Sequence, residues 1–155
     1  MGHLNKIFVI MVSLLSIYSV GCHNSSEIYR LKLDLNSDDE NKRWGALIEI
    51  CKIGPDAKRL FPEVLKALDD ENWRLRQSGV LALEAIGPID KVIPEIIRML
   101  DDNNEWVRMS AADTLGHFGN KAVSAFPKLQ ELALSDSSER VKSAAKKAIE
   151  HIKGD

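Results

Sequence analysis

Four segments of the chain place apolar or small residues at the same intervals. They are KRWGALIEICKIG from Lys42, LRQSGVLALEAIG from Leu75, VRMSAADTLGHFG from Val107 and VKSAAKKAIEHIK from Val141. The recurring sets are Lys42/Ala46/Ile50/Ile53, Leu75/Gly79/Leu83/Ile86, Val107/Ala111/Leu115/Phe118 and Val141/Ala145/Ile149/Ile152. Offsets of 0, 4, 8 and 11 keep four residues on one face of a helix. The second position is always Ala or Gly, small enough for a neighbouring helix to approach closely. Lys42 departs from the pattern in the first unit, where a terminal repeat is expected to be atypical.

Helix boundaries follow the same period. Ser37-x-x-Glu40, Asp102-x-x-Glu105 and Asp136-x-x-Glu139 read as capping boxes opening three of these helices. Gly54, Gly87 and Gly119 follow three of them, where a C′ residue takes left-handed dihedrals. A shorter amphipathic segment comes next in the first three units: FPEVLKAL, IPEIIRML and FPKLQELA, with Pro62, Pro94 and Pro127 in the tolerant first turn. The spacing predicts an all-α fold of helical hairpins over 37–68, 69–100, 101–134 and 135–153, with residues 27–35 as a capping helix of a 27–155 domain.

The segments DDENWRLRQSGVLALEAIG and DDNNEWVRMSAADTLGHFG carry paired aspartates, a hydrophobic-Arg pair, a small residue and a closing glycine. They resemble HEAT repeats, particularly the short bacterial kind first associated with phycobilisome lyases. The resemblance implies an α-solenoid of about four hairpins, with first helices on the convex side, second helices on the concave side, and a role in binding other proteins.

The N-terminus has a different pattern. Ile7 to Val20 is almost wholly apolar, preceded by Lys6. The run is shorter than the roughly 20 residues a membrane-spanning helix needs. Its length and flanks suit a secretory signal peptide over 1–21. Ser19-Val20-Gly21-Cys22 resembles the bacterial lipobox, which implies lipidation of Cys22 and a short tether over 22–26. Ser19 and Gly21 also fit ordinary signal cleavage, and both readings cut before Cys22. His23 stands where an aspartate would signal inner-membrane retention, so the resemblance implies the periplasmic face of the outer membrane if the host is Gram-negative.

Charge narrows the partners. The 134 residues from Cys22 onward hold 20 basic and 23 acidic side chains, a net charge of −3 with histidines neutral. That balance provides no field for polyphosphate and argues against a nucleic-acid role. Cys51 is the only other cysteine and reads as a small packed residue.

Arg43, Arg76, Arg108 and Lys142 hold one position in every unit. Regular basic residues among regular acids such as Asp69, Asp70, Asp101 and Asp102 read as a structural ladder between repeats. His117 and His151 are equivalent in adjacent units, with Asp113 nearby, but the earlier units carry Lys52 and Ala85 there, so no metal site is assigned. Trp44, Trp73 and Trp106 lie near the starts of first helices without aligning, and tryptophan is enriched at binding hot spots. The second helices offer Glu63/Lys66, Glu95/Arg98 and Lys128/Glu131, whose signs mix and then reverse. These residues form the candidate partner surface. No Gly-rich phosphate loop, H-E-x-x-H, C-x-x-C or nucleophile elbow occurs, so no catalytic residue, cofactor or small-molecule substrate is assigned. The sequence therefore reads as an exported, lipid-anchored interaction or scaffold module of the bacterial cell envelope. The alternative is an enzyme or enzyme accessory of the bilin-lyase-like HEAT kind.

Overall fold

The computed structural model describes residues 25–154; the apolar run at 7–20 and Cys22 lie outside the described residues. Residues 25–35 form a helix, α1, so the helix already includes Ser25 and Ser26, upstream of the expected start near Glu27. Then come α2 (Glu40–Ile53), α3 (Phe61–Lys66), α4 (Trp73–Ile86), α5 (Ile89–Met99), α6 (Glu105–His117), α7 (Phe126–Ser135) and α8 (Glu139–Lys153). Seven-residue 3₁₀ stretches, Gly54–Leu60 and Gly119–Ala125, lead into α3 and α7.

The helices α2, α4, α6 and α8 pack in chain order, each on the next. The shorter helices lie against them: α3 on α4, α5 on α4 and α6, α7 on α8. Among the described residues the architecture is all-α, a stack of helical hairpins. The repeat of small residues explains the spacing within the stack. Ala46, Gly79, Ala111 and Ala145 are all buried, and at Gly79 the end of the preceding hairpin comes close: an added Cβ would lie 3.2 Å from Ala67 Cβ and from Leu68 Cδ2. Leu83, Leu115 and Val141 are fully buried from the same faces, and one continuous apolar cluster runs from Leu31 to Ile152. Burial of each such side chain contributes about 1.5–3 kcal/mol relative to exposure. Lys42 is exposed, whereas Ile53, Phe118 and Ile149 are half-buried against the core.

Three boundary expectations are corrected. The N-caps are Asp39, Asn72, Asn104 and Ser138, not Ser37, Asp102 and Asp136. The side chains of Ser37, Asp102 and Asp136 instead accept the backbone N–H of Asp39, Asn104 and Ser138. Each makes a two-residue turn ahead of the helix, a local alternative open to the same residue types that cap. Gly54 and Gly119 have positive φ, 65° and 56°, but Gly87 is extended at φ −84°. Space, not dihedral freedom, requires a glycine there: an added Cβ would lie 2.2 Å from Val92 Cγ2 and 2.8 Å from the Leu83 carbonyl oxygen. Finally, Pro62 and Pro127 fall in the first turns of α3 and α7, whereas Pro94 lies inside α5. Helix α5 starts earlier, at Ile89 after the N-cap Pro88, in the place where the other hairpins use 3₁₀ turns.

Candidate interaction surface

The arginines sit four residues after the N-caps Asp39, Asn72 and Asn104, at the end of the first turn. From there a long side chain can reach back over its own loop and across to the next. Arg76 donates from Nε and Nη2 to both carboxylate oxygens of Asp102, at 2.7 and 2.8 Å. Its Nη1 donates to the Asp70 and Glu71 carbonyls at 2.8 and 2.9 Å. Arg108 repeats the fork on Asp136 at 2.8 Å for both bonds and donates to the Asp102 carbonyl at 2.9 Å. Arg43 reaches Asp70 through Nε alone, at 3.1 Å, and donates to the Ser37 and Asp38 carbonyls. Each aspartate is thus shared. Its Oδ1 also accepts the N–H of the following N-cap residue, Asn72, Asn104 or Ser138, at 2.8–2.9 Å.

The electrostatics follow from this sharing. Burial opposes ionisation of Asp102, yet the Arg76 hydrogen bond and the Asn104 N–H hold its carboxyl below the usual range. Asp136 is held low chiefly by the Arg108 hydrogen bond, against burial. The forks that could have gripped an external anion face carboxylates of the same chain. Lys142, in the last unit, turns to Glu139 on its own helix at 2.7 Å. A parallel contact joins the N-terminal ends of the first helices: the Asn72 amide donates to Glu40, and the Ser138 hydroxyl donates to Glu105.

The second-helix residues form another row. Lys66 reaches Asn36 at 3.3 Å, Arg98 reaches Asp69 at 2.7 Å and Lys128 reaches Asp101 at 2.6 Å. In each case the partner lies just ahead of the first helix of that hairpin, after the preceding second helix or α1. Glu63 takes Lys32 of α1, Glu95 takes Arg98, and Glu131 takes Lys128. Asp69 and Asp101, grouped in sequence with the partners of Arg43 and Arg76, belong to this second row instead. It is open to solvent, with the Asp69 and Asp101 side chains 68% and 67% exposed.

The tryptophans separate by environment. Arg74 lies over Trp73 at 5.3 Å and Arg140 over Trp106 at 5.1 Å, and both rings are half-buried. Trp44 on α2 is 48% exposed, and Leu81 on α4 is exposed as well. His117 Nδ1 lies 2.8 Å from Glu84, whose other oxygen accepts from the Thr114 hydroxyl at 2.7 Å. Glu84 therefore ties α4 to α6, a bridge across about one repeat that the sequence pattern does not announce. Burial raises the nearby Asp113 carboxyl and the Cys51 thiol above their ordinary values. A raised thiol holds little thiolate at neutral pH and is a poor nucleophile.

Stacked helical hairpins joined by a repeated arginine–aspartate bridge define an α-solenoid, a fold whose extended surfaces commonly bind proteins. The HEAT repeats family matches residues 62–150, and the chain belongs to it. Among solved structures, a designed armadillo repeat protein in complex with the peptide (KR)4 superposes with a TM-score of 0.62 at 25% identity, over 79% of this chain and 62% of its own. A second designed armadillo repeat protein gives 0.61 at 25% identity, over 79% and 63%. An engineered protein gives 0.64 at 20% identity, over 83% and 64%, a likeness of fold alone. The chain therefore spans less than two thirds of the length of these structural neighbours. No curated protein matches it.

Proposed function

We propose that this HEAT-repeat protein is an exported scaffold of the bacterial cell envelope, held at a membrane by lipid on Cys22, that binds another protein. The observation carrying the binding reading is Trp44, the exposed one of the three tryptophans. Trp73 and Trp106 have arginines over their rings, and the arginine forks are engaged within the chain. An exposed indole on a rigid helix offers a large contact area with little entropy to lose on binding. Peptide binding by an armadillo-type neighbour supports a protein or peptide as the ligand class. The anchor rests on Ser19-Val20-Gly21-Cys22 after an apolar run, and puts the 1–21 signal, a short tether after Cys22 and the repeats in that order.

Crosslinking in the native envelope followed by mass spectrometry tests the binding reading. Trp44→Ala is expected to lose the crosslinked partner while keeping the unfolding midpoint of the parent. Full partner capture by that variant would remove Trp44 from the interface. Cys22→Ser is expected to be exported but soluble, or to stay uncleaved; normal cleavage with continued membrane attachment would refute the lipid anchor. A visible absorption band in the purified protein would favour the bilin-lyase-like alternative.

A further inference from the structure

Helix α1 has one side that the other described residues leave open. Leu31 and Leu35 are buried, and Ile28 packs partly against the same core. To one side Lys32 reaches Glu63, on α3, at 2.8 Å. To the other, Arg30 reaches Glu49 on α2 at 2.6 Å. At 100° per residue, Tyr29 and Leu33 point away from both neighbours and from the core. They are 65% and 56% exposed, one turn apart. Together they make an apolar ridge at the N-terminal edge of the stack.

Resting on the lipid-anchor reading above, we propose that Tyr29 and Leu33 seat this edge of the solenoid on the bilayer surface. The chain outside the described residues argues for that occupant. Cys22 precedes the first described helical residue, Ser25, by three positions. Three residues reach at most about 11 Å, and Tyr29 lies only about 6 Å further along the helix. A lipid on Cys22 therefore keeps Tyr29 within about 17 Å of its attachment point, close enough for the ridge to rest in the headgroup layer. Tyrosine is suited to that depth, since its ring is apolar and its hydroxyl stays wet. The flanking Arg30 and Lys32 can lay their hydrocarbon stems along the same boundary. Two side chains alone would give weak binding, and the net charge of −3 from Cys22 onward adds no attraction to an anionic surface. Tethering makes the contact intramolecular, so a weak contact suffices. The anchor would set distance and the ridge would set orientation. The edge bearing α1 faces the lipid, and both helix layers remain open to partners.

The test uses the full chain carrying Cys51→Ala, purified from a bacterial host and reconstituted into vesicles of phosphatidylcholine and phosphatidylglycerol. Leu33→Cys reports on the ridge and Lys146→Cys, on exposed α8 surface, is the reference. A membrane-impermeant maleimide is the probe, and labelling at each cysteine is read by mass spectrometry of the digested protein. Leu33→Cys is expected to react on the order of tenfold more slowly than Lys146→Cys, the scale set by moving one such side chain out of water. Adding Tyr29→Ser is expected to restore most of that rate. Equal rates with Cys22 acylated would overturn the seating while leaving the anchor intact. The same digest shows whether Cys22 carries acyl chains; its absence would overturn the anchor reading and the seating with it. Slow labelling that persists in Cys22→Ser protein without vesicles would assign the ridge to a second copy or to residues 7–20, and would also overturn the proposal.

Discussion

The chain carries two rows of inter-repeat charge with nearly the same period, and they differ in burial. In the first, Arg76 and Arg108 grip Asp102 and Asp136, whose side chains are 6% and 4% exposed. In the second, Arg98 and Lys128 meet Asp69 and Asp101, both about two-thirds exposed. A buried ion pair must repay the loss of hydration through geometry and extra hydrogen bonds. The first row does so by adding loop carbonyls to the guanidinium and an N-cap N–H to the carboxylate. The second row has few such additions and remains free to rearrange. Equal regularity in sequence therefore marks two different things: a lock between repeats and a solvated face.

The sharpest way to break this distinction is to remove one member of the lock. Asp102→Ala would leave Arg76 largely desolvated and would also release the Asn104 N–H turn. The expected loss is about 3–5 kcal/mol, the range for breaking a buried pair. The denaturant midpoint of the full chain measures it. A loss below that of exposed-row variants would invert the comparison.

A second probe asks whether the lock holds helices at the separation their small residues permit. Ala111 is fully buried in α6, which packs on both α4 and α8. Ala111→Leu is expected to overpack that seam and destabilise by about 1–3 kcal/mol. An unchanged midpoint would mean the repeats can spread, with the arginine bridge too loose to fix their spacing.

Acid acts with opposite sign on the buried row and on Asp113. Asp102 and Asp136 are held below ordinary carboxyl values in the folded protein. Their contribution is therefore fully present above the unfolded value of about 3.9, and is lost as pH falls through the lower folded value. Asp113 opposes this. Burial raises its carboxyl, so protonating it on acidification favours the folded state. Paired Asp102→Asn and Asp136→Asn should flatten the acid side of the stability profile, whereas Asp113→Asn should steepen it. Unfolding midpoints between neutral and strongly acidic pH read both, and identical profiles would remove these carboxylates from the linkage.

The hairpin stack was legible because one face of every first helix repeats its apolar and small positions, and Gly79 or Ala111 cannot be mistaken for surface residues at that spacing. The arginine position was equally visible, since a basic residue recurs at one position of every unit. Its partners were harder to read. Asp69 and Asp70 are adjacent in the chain, and only packing sends one to Arg98 and the other to Arg43. Asp102 looked like a cap because a cap and a two-residue turn use the same side chain; the next loop's geometry decides between them. Gly87 carried the same letter as a left-handed C′ residue, yet it answers to Val92 and Phe61. The Glu84 contact with Thr114 and His117 joins residues some thirty positions apart, and no local pattern encodes it. Nor does an amphipathic helix reveal that its polar side will hold Tyr29 and Leu33 at the end of a stack.

The smallest expected effect belongs to the exposed row. Arg98 contacts Asp69 at 2.7 Å and Glu95 at 3.5 Å, with about half of its side chain in water. In high dielectric such a pair gains little over its hydrated parts, and holding two side chains in one geometry loses entropy. Arg98→Ala is therefore expected to cost about 0–1 kcal/mol, falling further at high salt. Lys128→Ala should behave alike, because Asp101 and Glu131 remain solvated when the ammonium is removed. A double mutant cycle between Arg98 and Asp69 isolates the pairwise term. Near-zero coupling there, beside a large coupling between Arg76 and Asp102, would show that the second-helix face contributes little to holding the repeats together and can exchange its ion pairs for those of a bound protein. Equal couplings would mean that both rows lock the stack, and that partner binding on the second-helix face must break structural bonds.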